Sequence, residues 1–200
     1  MKEKFINNYM NVVISNNSNL SSDDIDKMKY GIEGIYLTVT KLIIVIGLGI
    51  ILGIIKEILI LLLLYNILRF FGFGYHAKGS KECLIFSICF FVLLPYLVIK
   101  KILIFKYPFL IILICAFNFI LFAPSDTKKR PMINKKKKIK RKIAILVVTS
   151  IYAILSFNTN YEISALIILA LIIQSIMVNP VIYMLTKEPY NNYKNYLKEN

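Results

Sequence analysis

A nucleophile and a base stand seven positions apart in this 200-residue chain: His76, its one histidine, and Cys83, one of three cysteines. They share a short polar interruption, Phe71-Gly72-Phe73-Gly74-Tyr75-His76-Ala77-Lys78-Gly79-Ser80-Lys81-Glu82-Cys83, between two long apolar runs. A cysteine attacks as the thiolate, so its surroundings must favour the ionised form. Ser80 reads as the N-cap of a helix whose first turn holds Lys81, Glu82 and Cys83. A thiolate there meets open backbone N–H groups and the positive end of the helix dipole. Lys78, Lys81 and a protonated His76 add favourable charge, and Glu82 opposes it. His76 has the chemistry of a general base toward the thiol and of an acid toward a leaving amine. Open N–H groups also suit an oxyanion, and Gly72, Gly74 and Gly79 give the backbone freedom to fold His76 back over Cys83. Together these are the parts of a cysteine-peptidase dyad at a membrane face. The competing reading is a glycine-rich turn between two helices, in which the two residues are unrelated. Two candidate ligands are too few for a metal site, and no metal or cofactor is expected.

The elements that must position this pair are apolar. Hydrophobic residues make up 58% of the chain, and they arrive in long uncharged runs. That pattern predicts an all-α, polytopic integral membrane protein with about six transmembrane helices. The runs lie at about 35–55, 58–71, 83–99, 102–122, 143–157 and 163–185. Before them, Phe5, Ile6, Tyr9, Met10 and Val13 recur at helical spacing, which predicts an N-terminal amphipathic surface helix over 1–19. Ser21-Ser22-Asp23-Asp24 supplies an N-cap and first-turn acids for the helix that follows. The whole of 1–200 reads as one membrane domain. Residues 1–30 form its cytoplasmic amphipathic segment, 72–82 its catalytic loop and 123–142 its basic loop. Polar residues such as Asn7, Asn8 and Asn11 leave no apolar core for a cleavable signal peptide. The odd cysteine count argues against a disulfide framework. Cys89 and Cys115 sit inside apolar runs and read as packing residues.

A formal net charge of +14 would suit nucleic acid, but no separate soluble reader is present, and no nucleic-acid partner is expected. The charge follows the loops instead. Twenty basic residues fall on one predicted face, against four (Lys56, Lys100, Lys101, Lys106) on the other, with Lys41 just inside the first span. This positive-inside asymmetry predicts a multi-pass cell-membrane protein with both termini, the His76–Cys83 loop and the basic loop in the cytoplasm. Lys100-Lys101 is the exception, on the outer side. The run 128–142 holds ten basic residues and no acids. Such a run sets topology and touches anionic lipid, or it docks an acidic peptide. Asp126 reads as a cap or turn residue, or as a group that orients His76. Asn118, Gln174 and Asn179 lie at membrane depth, where interhelical hydrogen bonding competes with a substrate path. Pro180 is expected to kink the last span.

Leu68-Arg69, Gly74-Tyr75-His76-Ala77-Lys78 and Cys83 resemble one shared stretch of the accessory gene regulator protein B (AgrB) family. Ala123-Pro124-Ser125-Asp126-Thr127, with Pro131 and the lysines after it, resembles the second. Tyr30-Gly31 also fits, and the likeness in order and hydropathy covers most of the chain. The family more often has two adjacent glycines before its Tyr/His pair; here Phe73 takes one of those places, with Gly72 one residue earlier. The resemblance implies a membrane cysteine endopeptidase of a Gram-positive bacterium. Such an enzyme cleaves the C-terminal part of a short propeptide through an acyl-enzyme and promotes cyclisation to a thiolactone or lactone quorum-sensing signal. It implies Cys83 as nucleophile and His76 as base, with Arg69 and Gly74 at motif positions outside the dyad. Arg69, Gly74, Ser80, Asp126, Lys128, Lys129 and Arg130 are thus the candidates for shaping the site or binding substrate. The resemblance implies a propeptide partner with an acidic C-terminal part; the lysine run adds anionic lipid, and whether the chain also pairs with a second copy in a homodimer is left open by the sequence. The rival, from another class, is a non-catalytic peptide exporter or membrane scaffold.

Overall fold

The computed structural model describes residues 2–16, 21–75, 79–126 and 132–190. Among the described residues every extended element is a helix; one isolated bridge, between Phe73 and Ser125, is the only β pairing. The chain forms two compact units, Met1–Gly47 and Leu48–Asn200.

The first unit contains α1 (Lys2–Asn16) and most of α2 (Ser22–Ile51). In α1, Ile6 and Met10 lie one turn apart and are buried, whereas Tyr9 and Val12 are exposed. Ser21 starts α2 as its sequence suggests. Its hydroxyl accepts the Asp24 N–H at 3.2 Å and donates to Asp24 Oδ2 at 2.6 Å, so the first turn closes on itself. Further along α2, Ile35, Val39, Leu42 and Ile43 form an exposed apolar stripe.

The second unit is built around α8 (Tyr161–Val178), which packs against α3 (Ile55–Gly72), α5 (Leu94–Ile99), α6 (Pro108–Phe122) and α7 (Lys135–Asn158). Every residue from Ala165 to Leu171 is buried. A helix that is apolar all round belongs in the middle of a bundle. The surrounding helices are apolar on their outer faces too, at Leu59 and Leu63 on α3, Phe109, Leu113 and Phe117 on α6, and Val147, Ile151 and Ile154 on α7. Apolar residues facing both inward and outward are what a bilayer selects. Helix α4 (Ser80–Ile88), a π-helical turn (Cys89–Leu93) and α5 run on as one rod, and α9 (Pro180–Leu185) is the last described helix.

Among the described residues, three helical stretches are both long and apolar enough to cross a membrane: Asp24–Ile51, Lys81–Ile99 and Tyr161–Val178. The other expected spans are shorter or carry more charge. The fourth run is helical only from Pro108, whose fixed φ suits a first helical turn, so 102–107 lies outside the helix. The fifth begins at Lys135, because Asn134 accepts the Lys137 N–H at 3.2 Å and caps a helix that takes in half of the basic run. The sixth breaks completely at Asn179, whose side chain accepts the Val181 N–H at 2.9 Å and starts α9 with Pro180 in its first turn.

Basic side chains near the start of α7 tie two helix ends together. Arg141 Nη1 donates to the Phe70 carbonyl in the last turn of α3 at 2.5 Å, and Lys142 Nζ donates to the Ile120 carbonyl in the last turn of α6 at 2.6 Å. Cations suit the negative ends of helices. Burial, with Lys138 adding to it, pulls the Lys142 ammonium below its ordinary pKa. Arg141→Ala is therefore expected to lower the unfolding free energy in detergent by about 1–2 kcal/mol. Lys136→Ala, at an exposed position, should stay within about 0.5 kcal/mol. Thermal or denaturant unfolding of the two variants checks the contrast.

Candidate active site

Helix α3 ends at Gly72 because the next two residues leave the helical region. Phe73 takes φ 52° and ψ −128°, and Gly74 takes φ +109°. Positive φ in a bulky residue persists only where its surroundings fix it. Here the Phe73 carbonyl accepts two hydrogen bonds, from Arg69 Nη1 at 2.6 Å and from Gln174 Nε2 of α8 at 2.9 Å. The Phe73 N–H donates to the Arg69 carbonyl at 3.0 Å, and its ring lies 4.2 Å from the Arg141 guanidinium.

The two glycines on either side of Phe73 do different work. A Cβ on Gly72 would lie 2.5 Å from Gln174 Nε2 and 2.6 Å from Ile145 Cδ1, so this glycine lets helices approach. A Cβ on Gly74 would lie 2.5 Å from the Met177 carbonyl oxygen and 2.8 Å from Arg69 Nη1, in a backbone conformation that already disfavours a side chain. The turn therefore does not need adjacent glycines.

Gly74 N–H donates to the Ser125 carbonyl at 3.0 Å, and Ser125 N–H donates to the Gly72 carbonyl at 3.1 Å. Ser125 Oγ in turn donates to the Val178 carbonyl at 2.6 Å. Tyr75 N–H donates to the Met177 carbonyl at 2.7 Å, and the Tyr75 carbonyl accepts from Arg69 Nη2 at 2.5 Å. Arg69, Ser125, Gln174 and Met177 thus hold the backbone up to the residue before His76. The buried Tyr75 ring meets Phe86 and Tyr183 edge-on, with centroids 6.3 Å and 5.9 Å away.

Cys83 is half-buried on α4. It stands three residues before Phe86, so both share the helix face that meets Tyr75. The cap of α4 is Gly79, in extended conformation, and Ser80 is the first helical residue. This shifts the start one residue upstream of the Ser80 cap expected from sequence. The physical reason is that Gly79 tolerates the cap conformation at little cost. Cys83 N–H donates to the Gly79 carbonyl at 3.0 Å, the first bond of the helix. The helix itself leaves the N–H groups of residues 80–82, just before the thiol, without intrahelical partners.

Asp126 is buried. Its Oδ2 accepts the Met132 N–H at 3.4 Å and its carbonyl accepts the Tyr183 hydroxyl at 3.2 Å. His76, Lys128, Lys129 and Arg130 lie outside the described residues. Gln174, Asn118 and Asn179 do make interhelical hydrogen bonds: Asn118 Nδ2 donates to Ser175 Oγ at 2.9 Å and Asn179 Nδ2 to Asn118 Oδ1 at 3.0 Å. Sequence reasoning did not find Met177, which acts through a carbonyl and leaves no side-chain signal. It also did not single out Tyr183, or Arg141 among the other basic residues; their partners lie far away in sequence.

Two substitutions test this clamp. Gly74→Ala should destabilise the protein by about 2 kcal/mol or more, from clash and positive φ together. Arg69→Lys offers one ammonium where two N–H groups point at two carbonyls. Amide hydrogen exchange at Gly74 and Tyr75 should speed up about tenfold or more.

The comparisons with known proteins agree on one family. The family model of accessory gene regulator B matches residues 6–178. An AgrB-like protein of Listeria innocua is 36% identical over 179 residues, covering 85% of this chain and 84% of that one. A similarly named protein of Clostridium acetobutylicum is 32% identical over 182 residues, covering 88% and 86%. Accessory gene regulator protein B of Staphylococcus epidermidis is 30% identical over 179 residues, covering 90% and 91%. No solved structure matches the chain. By the extent of these matches, the chain belongs to the accessory gene regulator B family, whose members take part in agr quorum sensing.

Proposed function

We propose that this protein is a membrane cysteine endopeptidase that matures a short signalling propeptide at the cytoplasmic face. The observation that carries the reading is the clamp on residues 73–75. A turn with two positive-φ residues is held by four partners one residue before the chain's single histidine, against the helix whose first turn bears Cys83. Such preorganisation serves chemistry better than it serves a linker.

In the proposed reaction His76 takes the proton of the Cys83 thiol, and the sulfur attacks the scissile carbonyl. The C–N bond breaks, His76 returns the proton to the leaving amine, and the C-terminal fragment departs. A thiol or hydroxyl of the bound peptide then attacks the thioester, forms the thiolactone or lactone ring and frees Cys83. An apolar site that excludes water favours this transfer over hydrolysis. The basic start of α7, with Lys128, Lys129 and Arg130 before it, supplies charge for an acidic C-terminal fragment and for anionic lipid. A second copy of the chain is the remaining proposed partner.

Coexpression with a propeptide tests the reading. Cys83→Ser and His76→Ala should each abolish its cleavage, a loss of at least about 100-fold. Wild-type protein should yield a peptide thioester on Cys83, visible by mass spectrometry. Normal cleavage in either variant would sink the proposal.

A further inference from the structure

Gln174 is a fully buried amide in the apolar middle of the bundle, on the most enclosed helix of the second unit. Its Nε2 donates to the Phe73 carbonyl at 2.9 Å. Its Oε1 is buried and has no hydrogen-bond partner among the described residues. Turning the amide over would set Oε1 against the carbonyl oxygen, so the Phe73 bond fixes which end is stranded. A residue kept for stability alone would not leave a buried acceptor unmet, and a methionine of similar length would fill the space without one.

What the amide does serve is position. Phe73 adopts φ 52°, and Gln174 shares its carbonyl with Arg69. Gly72 leaves room for Nε2 that any Cβ would occupy. One turn along the same face of α8, the Met177 carbonyl takes the Tyr75 N–H. Helix α8 therefore grips the chain on both sides of Gly74, and Tyr75 leads directly into His76.

We propose that Gln174 is a positioning residue of the peptidase site: its amide sets the Phe73 carbonyl, and with it the direction of the backbone that leads through Tyr75 into His76. The proposal rests on the peptidase reading and assigns the last turns of α8 to that site.

The test uses the full chain in lipid nanodiscs and iodoacetamide as the probe. Alkylation of the Cys83-containing peptide is followed by mass spectrometry across about pH 5–9, with the thermal midpoint measured in parallel. Gln174→Met should slow Cys83 alkylation at neutral pH about tenfold, moving its pH profile toward that of His76→Ala. Its thermal midpoint should equal or exceed that of the wild type. Wild-type alkylation in Gln174→Met beside slow alkylation in His76→Ala would overturn the positioning role and leave the dyad standing. A lowered midpoint or failure to fold would make Gln174 a structural residue and also overturn it. Wild-type alkylation in His76→Ala would take down the dyad reading and this proposal together.

Discussion

The carbonyl of Phe73 is where the second unit is tied together. It leaves the last turn of α3 at a backbone angle that costs free energy in any residue but glycine. It is held there by a guanidinium from its own helix and an amide from the central one. The guanidinium bond is charge-assisted, and partial burial makes both bonds stronger than their counterparts in solvent. Either donor alone satisfies the oxygen, and the two together fix the direction in which the chain leaves Phe73. The consequences spread outward: Gly74 can meet Ser125 and Tyr75 can meet Met177 only if the chain leaves Phe73 in this direction.

A bilayer makes such a knot useful. Between apolar helices the hydrophobic effect contributes little, because lipid is as apolar as the helix neighbours. Polar contacts at the helix ends then carry more of the specificity. In this chain they gather where α3, α6 and α8 finish and where α7 starts, with Arg141 and Lys142 capping two of those ends. The basic residues counted as a topology signal thus also act as caps and as a cation over the Phe73 ring.

Much of this was legible in the sequence, and the limits have physical causes. Apolar runs and helix periodicity foretold an all-helical chain, because the same residues must face neighbours and lipid. Ser21 announced the start of α2 through its own side chain. Asn118, Gln174 and Asn179 stood out as polar groups in apolar surroundings and proved to be hydrogen-bonded across helices. The start of α4 was misplaced by one residue, since Gly79 and Ser80 are both acceptable caps. The start of α7 was hidden inside a lysine run that reads equally well as a loop. Met177 could not be found at all, because a backbone carbonyl is common to every residue and only the folded chain says which one is used.

The π-helical turn at Cys89–Leu93 has a consequence of phase. One extra residue in a helix turns everything beyond it by about 100° relative to an unbroken α-helix. The upper part of the 80–99 rod can therefore show Phe86 to Tyr75 while the lower part keeps Val92 and Val98 buried in the bundle. The bearing of Cys83 is thus set by how the lower half is seated together with this local winding defect. Natural variation that added or removed a single residue in this turn would rotate the thiol away from its neighbours while leaving both sequence stretches around it intact.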